Sequence, residues 1–212
     1  MNRKLSFFIW SIIYAIIVYH IYSEYINVVG PKVNIDLFLE QSLFRLQKFL
    51  YNTSIFFTIF LFIFKLPFTS PMFIGRCKKE VPIYLISYGL KICFIFVFYS
   101  LLLHMGIPFI FQQDILITSE IILNIARLYS FVLSMYFLYL IVYITINKQV
   151  LGLLSIYVMN FTLLTIYFSI SFGLGISPTR NMELQFLTIT SSMVIMFSVI
   201  FINYQFKHKD FL

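Results

Sequence analysis

The chain is organised around one stretch, Lys65–Pro82, which reads KLPFTSPMFIGRCKKEVP. It is strongly basic and punctuated by prolines, whereas the sequence on either side consists mainly of apolar runs. Pro67 ends the apolar run before it, because proline cannot continue a helix. Pro71 and Pro82 then bracket Met72–Val81, which is long enough for two or three turns of helix. We expect this stretch to stay outside the membrane that the flanking runs cross.

Composition sets the class of protein. Of 212 residues, 61% are apolar and only 11% are charged, against about 25% charged in a soluble domain. So few charges cannot cover a water-facing surface, so lipid must be the solvent for most of the chain. The net charge of +7 fits the basic cytoplasmic loops of membrane proteins. It does not indicate nucleic-acid binding, because no basic run stands beside an aromatic platform.

Six apolar runs predict an all-α, polytopic membrane protein with six transmembrane helices in a single domain, residues 1–212. An amphipathic helix is expected over residues 35–50, because four leucines recur there at steps of four, three and four. That helix either forms an outer collar at the membrane surface or lengthens the second span. The predicted spans are about 5–22, 49–66, 85–108, 120–146, 150–174 and 187–206.

The distribution of lysine and arginine predicts the orientation. With both ends of the chain in the cytoplasm, ten of the fifteen Lys and Arg residues fall on the inner side. Cytoplasmic loops carry such an excess. The orientation is therefore N-in and C-in, and residues 67–82 form a cytoplasmic segment between the second and third spans.

The sequence contains no catalytic or metal-binding pattern. It has no HExxH, no GxSxG and no P-loop, and Cys77 and Cys93 do not form a CxxC pair. We therefore expect no enzyme activity, no metal site and no cofactor in this chain. Ionisable side chains near the predicted outer boundary, His104, Glu120 and Arg127, are candidates for an outer path; the alternative is snorkelling or headgroup contact. Asn160, deeper in the fifth span, is expected to form an interhelical hydrogen bond.

The six-span pattern, the proline-bounded segment and the short basic tail at Lys207–Asp210 resemble the small permease subunits of bacterial ABC exporters. The likeness rests on Ser70–Lys91, and is nearest to the permeases that accompany bacteriocin-immunity and cytolytic-peptide export systems. It implies a bacterial cell membrane, a separate ABC ATPase subunit that binds ATP and Mg²⁺, and a second permease copy or homologue. The elbow helix that usually precedes the first span is missing or reduced to Met1–Phe7.

In that family the segment after the second span is a coupling helix that inserts into the ATPase. The resemblance assigns this contact to Met72, Phe73 and Ile74 as apolar anchors, and to Arg76, Lys78, Lys79 and Glu80 as charged neighbours. An ordinary loop whose only role is to set topology would carry the same charges. The expected function is export of an amphipathic or lipophilic substrate, such as a peptide. The alternative is a stand-alone membrane binding or immunity protein, or a substrate-capture subunit, with no dedicated ATPase.

Overall fold

The computed structural model describes residues 3–29, 35–64, 80–111, 119–146, 148–173 and 179–208, and every regular element in these ranges is helical. In chain order the elements are α1 (Arg3–Val29), α2 (Ile35–Leu39), the π-helical turn π1 (Glu40–Phe44), α3 (Leu46–Lys48), the π-helical turn π2 (Phe49–Thr53), α4 (Ser54–Ile63), α5 (Val81–Ile110), α6 (Ser119–Ile146), α7 (Gln149–Gly173) and α8 (Arg180–His208).

Five of these helices, α1 and α5 to α8, are apolar and long enough to cross a membrane. The shortest of the five, α7, has 25 residues, or about 37 Å at 1.5 Å per residue. That exceeds the hydrocarbon thickness of about 30 Å. The prediction of an all-α chain is confirmed for the described residues, and five helices have the length and apolar composition that a multi-pass membrane protein requires. The span predicted at 49–66 corresponds to a shorter apolar helix, Leu50–Ile63.

The two faces of α1 show why lipid must surround the chain. Trp10, Tyr14 and Val18 are buried against the other helices. On the opposite side Phe8 and Ile16 are 62% and 60% exposed. A helix of a soluble protein would place polar residues on that outer face. Here both faces are apolar, as they are in a membrane span.

Residues 35–64 are called here the interrupted helix. The sequence predicts a regular helix over 35–50, followed by the second span, but the helix in this range is broken. Two π-helical turns lie within it, and Arg45 between them is extended, with φ −79° and ψ 144°. The four leucines of the predicted stripe are all buried: Leu39, Leu43, Leu46 and Leu50. The stripe therefore faces the protein interior, while the backbone that carries it departs from regular α-helical geometry.

Ring contacts give the direction of the interrupted helix relative to α1. Tyr25 of α1 contacts Phe38, with ring centroids 5.4 Å apart. At the other end Phe7 contacts Phe64 at 5.5 Å. The interrupted helix therefore runs antiparallel to α1 along most of its length.

Helix α5 runs parallel to α1. Trp10 and Phe96 lie 6.3 Å apart, and Tyr22 and Phe111 lie 5.5 Å apart, so both helices advance in the same direction. The chain must therefore return between them, and the interrupted helix makes that return.

Helix α6 forms the centre of the bundle, where it contacts α5, α7 and α8. Nearly every residue from Phe131 to Leu140 is buried. The face of α8 that is buried includes two small residues, Ser191 and Ser198, seven positions apart. Small residues allow membrane helices to approach closely. The core is accordingly built around α6, with the interrupted helix packed against α1, α6 and α7.

Candidate functional site

The predicted coupling residues fall mostly outside the described residues. Met72, Phe73, Ile74, Arg76, Lys78 and Lys79 belong to the range 65–79, which the structure does not describe. Glu80 is exposed directly before α5, and its carbonyl accepts a hydrogen bond from the Tyr84 N–H at 2.9 Å. Pro82 stands in the first turn of α5, where a missing N–H costs nothing. The predicted coupling function stays a prediction.

Two of the three candidate outer-path residues share a face of α6. Glu120 and Arg127 are separated by two helical turns. Between them Asn124 is buried, and its Oδ1 accepts a hydrogen bond from the Arg127 guanidinium at 3.0 Å. Asn124 was not identified by the sequence analysis, although its spacing from both charged residues places it on their face.

His104, the third candidate, lies elsewhere. It is 2% exposed in α5 and packs edge-on against Tyr14 of α1, with ring centroids 5.9 Å apart. Its Nδ1 lies 2.8 Å from the Ser100 carbonyl, so Nδ1 carries the proton and donates, because a carbonyl only accepts. His104 therefore belongs to the aromatic core between α1 and α5.

A polar cluster lies where the interrupted helix meets α6 and α7. Its centre is Asn160 of α7, which is 4% exposed. The Asn160 side-chain amide donates to the Leu50 carbonyl at 3.3 Å and to the Ser54 hydroxyl. Ser54 in turn donates to the sulfur of Met135 at 3.3 Å. These four residues, Leu50, Ser54, Met135 and Asn160, are called here the Asn160 cluster.

The irregular backbone of π2 makes this contact available. At the end of π2 the Ser54 N–H donates to the Tyr51 carbonyl, three residues earlier. The regular bond to the residue four positions earlier, Leu50, is therefore disturbed. Asn160 donates to that carbonyl. An irregular backbone at membrane depth is tolerated only where other protein groups satisfy it, and Asn160 supplies such a group.

The Asn160 cluster lies near the midpoints of the two helices that form it. Asn160 is eleven residues from the start of α7 and thirteen from its end. Leu50 is likewise close to the midpoint of the interrupted helix. Both helices therefore carry their contact residues about halfway along their length.

The cluster has hydrogen-bonding capacity that the described protein does not use. The amide nitrogen of Asn160 donates to the Leu50 carbonyl and the Ser54 hydroxyl and lies 3.8 Å from the Met135 sulfur, but Asn160 Oδ1 is buried and has no partner among the described residues. The same holds for the hydroxyl of Thr53, which directly precedes Ser54. Buried polar atoms normally find a partner in protein or ordered water. Asn160 Oδ1 is therefore able to accept a hydrogen bond from a water molecule or from a hydroxyl or amide group of a ligand.

The cluster offers neutral hydrogen-bonding groups. None of its four residues titrates near neutral pH. Among the residues that the structure describes, no group of three or more His, Cys, Asp or Glu side chains could hold a metal ion. The surroundings are apolar and aromatic, so the arrangement suits a neutral polar group on an otherwise lipophilic molecule.

The sequence matches no protein-family model and no curated protein, and the structure matches no solved structure. The resemblance to ABC exporter permeases therefore stays a prediction. What the chain does has to be inferred from its membrane-embedded geometry and from its basic segment.

Proposed function

We propose that this chain is the permease subunit of an ATP-driven exporter of the ABC type in a bacterial cell membrane. It moves an amphipathic or lipophilic substrate, such as a lipophilic peptide, out of the cytoplasm or inner leaflet. Six crossings, with both chain ends in the cytoplasm, form the membrane domain. The Asn160 cluster is the observation on which this proposal mainly rests.

The directions of the helices support six crossings. Because α1 and α5 are parallel, the chain crosses back between them. The contacts of the interrupted helix extend from Tyr25 to Phe7 of α1, a distance of eighteen residues, or about 27 Å. That is close to the hydrocarbon thickness of about 30 Å. The interrupted helix thus has the reach of a second span, although its regular helical part is short.

The Asn160 cluster supports transport more than a purely structural role. Secondary transporters commonly bind substrate near the bilayer midplane, where a discontinuous helix exposes backbone groups, and the same arrangement would serve an exporter. The interrupted helix has this form, with π2 at its midpoint and the unpartnered Asn160 Oδ1 beside it. The absence of ionisable groups from the cluster favours a neutral polar group over an ion or a proton.

Energy for export must come from another chain, because the sequence has no P-loop. Met72, Phe73 and Ile74 would enter a groove on an ATPase subunit, and Arg76, Lys78 and Lys79 would pair with acidic groups at its rim. A membrane domain of this size needs a second permease copy, or a homologue, to enclose a substrate path. The substrate would then pass between the two.

The test is purification of the tagged chain from its native membrane in mild detergent, followed by intact-mass measurement of the complex. We expect a P-loop ATPase and a second permease chain to accompany it. Replacing Arg76, Lys78 and Lys79 with glutamate should release the ATPase, because like charges then meet at the rim. Lys148→Glu is the matched control: it reverses an exposed charge at the predicted inner turn between α6 and α7.

Three results would count against the proposal. If the chain is active in its native membrane with no ATPase bound, it is better described as a stand-alone membrane binding or immunity protein. If the triple glutamate variant retains both the ATPase and transport, residues 72–80 only set topology. Release of the ATPase by Lys148→Glu as well would show a general charge effect and would remove the support for a coupling helix.

A further inference from the structure

An apolar groove of about 410 Å³ lies between α5 and α6 on the outer surface of the bundle. Phe98 and Ile122 on its sides are 53% and 62% exposed, while Val97 at its floor is 4% exposed. Its one polar group, the Tyr129 hydroxyl, donates to the Leu90 carbonyl at 3.2 Å. The lining residues that matter below are Phe94, Phe98, Leu101, Ile122, Ala126 and Tyr129.

A lysine stands at one end of this groove. Lys91 precedes Phe94 by three residues and Phe98 by seven, so the three side chains share one stripe of α5. Lys91 is exposed. Among the described residues no carboxylate pairs with it. Helical side chains lean toward the N-terminus, so the ammonium group extends away from the groove toward the start of α5.

The dimensions match one leaflet of a bilayer. From Lys91 to Leu101 is ten residues, which is about 15 Å along the helix. Half of the hydrocarbon core is also about 15 Å. Phe96 contacts Phe57, with ring centroids 5.0 Å apart, and Phe57 lies one turn from Ser54 of the Asn160 cluster. The Leu101 end of the groove is thus level with the membrane centre, which puts Lys91 at headgroup depth.

We propose that this groove binds one acyl chain of an anionic phospholipid whose phosphate pairs with Lys91. The positive charge selects the headgroup, and the apolar walls hold the chain that runs from the headgroup to the bilayer centre. A helix of a second copy is less well matched, because it would extend across both leaflets while the groove covers one. The lipid site does not depend on the proposed export function.

The test compares phosphatidylglycerol with phosphatidylcholine as the added lipid, with retention on the purified chain followed by native mass spectrometry. The wild-type chain should retain phosphatidylglycerol preferentially. Lys91→Gln should weaken this binding about fivefold, the value expected when one basic charge near an anionic headgroup is lost. Lys91→Arg should keep it. Lys207→Gln, which removes an exposed lysine from α8, should have no effect.

A second pair of variants tests the groove itself. Ala126→Phe fills the groove and should abolish the preferential retention of phosphatidylglycerol, whereas Ile189→Phe, on an exposed part of α8, should not. If Ala126→Phe does not fold, Ala126→Leu makes a smaller version of the same change. Equal retention of the two lipids by the wild-type chain, or unchanged retention by Lys91→Gln, overturns the proposal. The proposal is also overturned if Ala126→Phe breaks up an oligomer but still retains the lipid, because a second copy of the chain would then cover the groove.

Discussion

The ring of Tyr136 in α6 lies directly against Gly89 in α5. A Cβ atom at position 89 would overlap Tyr136 Cε1 and would be 2.5 Å from Cδ1. The Tyr136 hydroxyl donates to the Leu85 carbonyl, one turn before Gly89, at 2.9 Å. The absence of a side chain at Gly89 and the hydrogen bond of the Tyr136 hydroxyl together determine how the central helix α6 packs against α5.

Gly89→Ala is expected to destabilise the protein by about 1–3 kcal/mol, the usual cost of adding volume to a packed core. The tyrosine ring must move, and its hydroxyl then loses the Leu85 carbonyl. The measurement is the free energy of unfolding in detergent. Gly106→Ala in the same helix is the matched control, because no described residue, apart from the chain neighbours and the backbone of the helix itself, lies within 4 Å of the added Cβ. This substitution should be neutral or slightly stabilising. Equal effects of the two substitutions would contradict the contact.

A second glycine and tyrosine pair joins α6 to α7, and it predicts a different response to double substitution. A Cβ at Gly152 would be 2.8 Å from Tyr139 Cδ2 but also 3.0 Å from the Tyr139 backbone oxygen. At Gly89 the three nearest atoms all belong to the ring of Tyr136. Replacing Tyr136 with leucine should therefore relieve much of the cost of Gly89→Ala.

Replacing Tyr139 with leucine should relieve less of the loss of stability caused by Gly152→Ala, because the contact with the Tyr139 backbone oxygen remains. The coupling energy from the two double-mutant cycles measures this difference, and neighbouring residues typically give values of about 0.5–3 kcal/mol. Coupling at Gly152 as large as that at Gly89 would show that the α7 backbone moves away freely.

The Asn160 cluster should contribute little to stability. Hydrogen bonds between membrane helices contribute about 0.6 kcal/mol on average and at most about 1.7 kcal/mol. Ser54→Ala, which removes one acceptor for Asn160, should therefore lower the free energy of unfolding by an amount in that range. Thr58→Val is a matched control on the same helix, because the buried Thr58 hydroxyl has no described partner, and it should be neutral or stabilising.

Asn160→Leu separates structure from transport. It removes an oxygen that has no partner among the described residues, together with the donor of the hydrogen bonds to Leu50, Ser54 and Met135. The net change in stability should therefore stay within about 2 kcal/mol. If Asn160 contacts substrate, transport should nevertheless be lost. A variant that unfolds in detergent would make Asn160 a structural residue, and a stable variant with full transport would remove it from the path.

The sequence identifies which residues are buried better than it identifies the backbone that carries them. The stripe of Leu39, Leu43, Leu46 and Leu50 follows helical spacing, and all four are buried. The local sequence does not indicate the break at Arg45 or the turn π2, because residues 35–64 contain neither glycine nor proline. The irregular backbone there meets Asn160, which lies more than a hundred residues further along the chain. Such contacts depend on tertiary packing and cannot be deduced from a local pattern.

The close approaches at Gly89 and Gly152 could have been anticipated, because a lone glycine inside an apolar helix costs about 1 kcal/mol relative to alanine and usually has a packing reason. Their tyrosine partners could not, since either glycine could face any neighbouring helix. The position of His104 is a similar case. Its distance from the end of an apolar run indicated an interfacial residue, but burial depends on how α1 packs across α5, and the sequence of α5 alone does not contain that information.

Chemical modification of the histidines distinguishes an aromatic-core position for His104 from a water-filled path. The side chain of His20 is 72% exposed, with Nε2 3.4 Å from Glu24, whereas His104 is 2% exposed and edge-on to Tyr14. Diethyl pyrocarbonate needs access to the imidazole, so His20 should react readily in the folded protein and His104 far more slowly. Peptide mapping by mass spectrometry resolves the two sites, and denatured protein, in which both should react alike, is the control. Equal rates in the folded protein would mean that water reaches His104 from the α1 side, and the candidate outer path would then include α5 as well as the Glu120 face of α6.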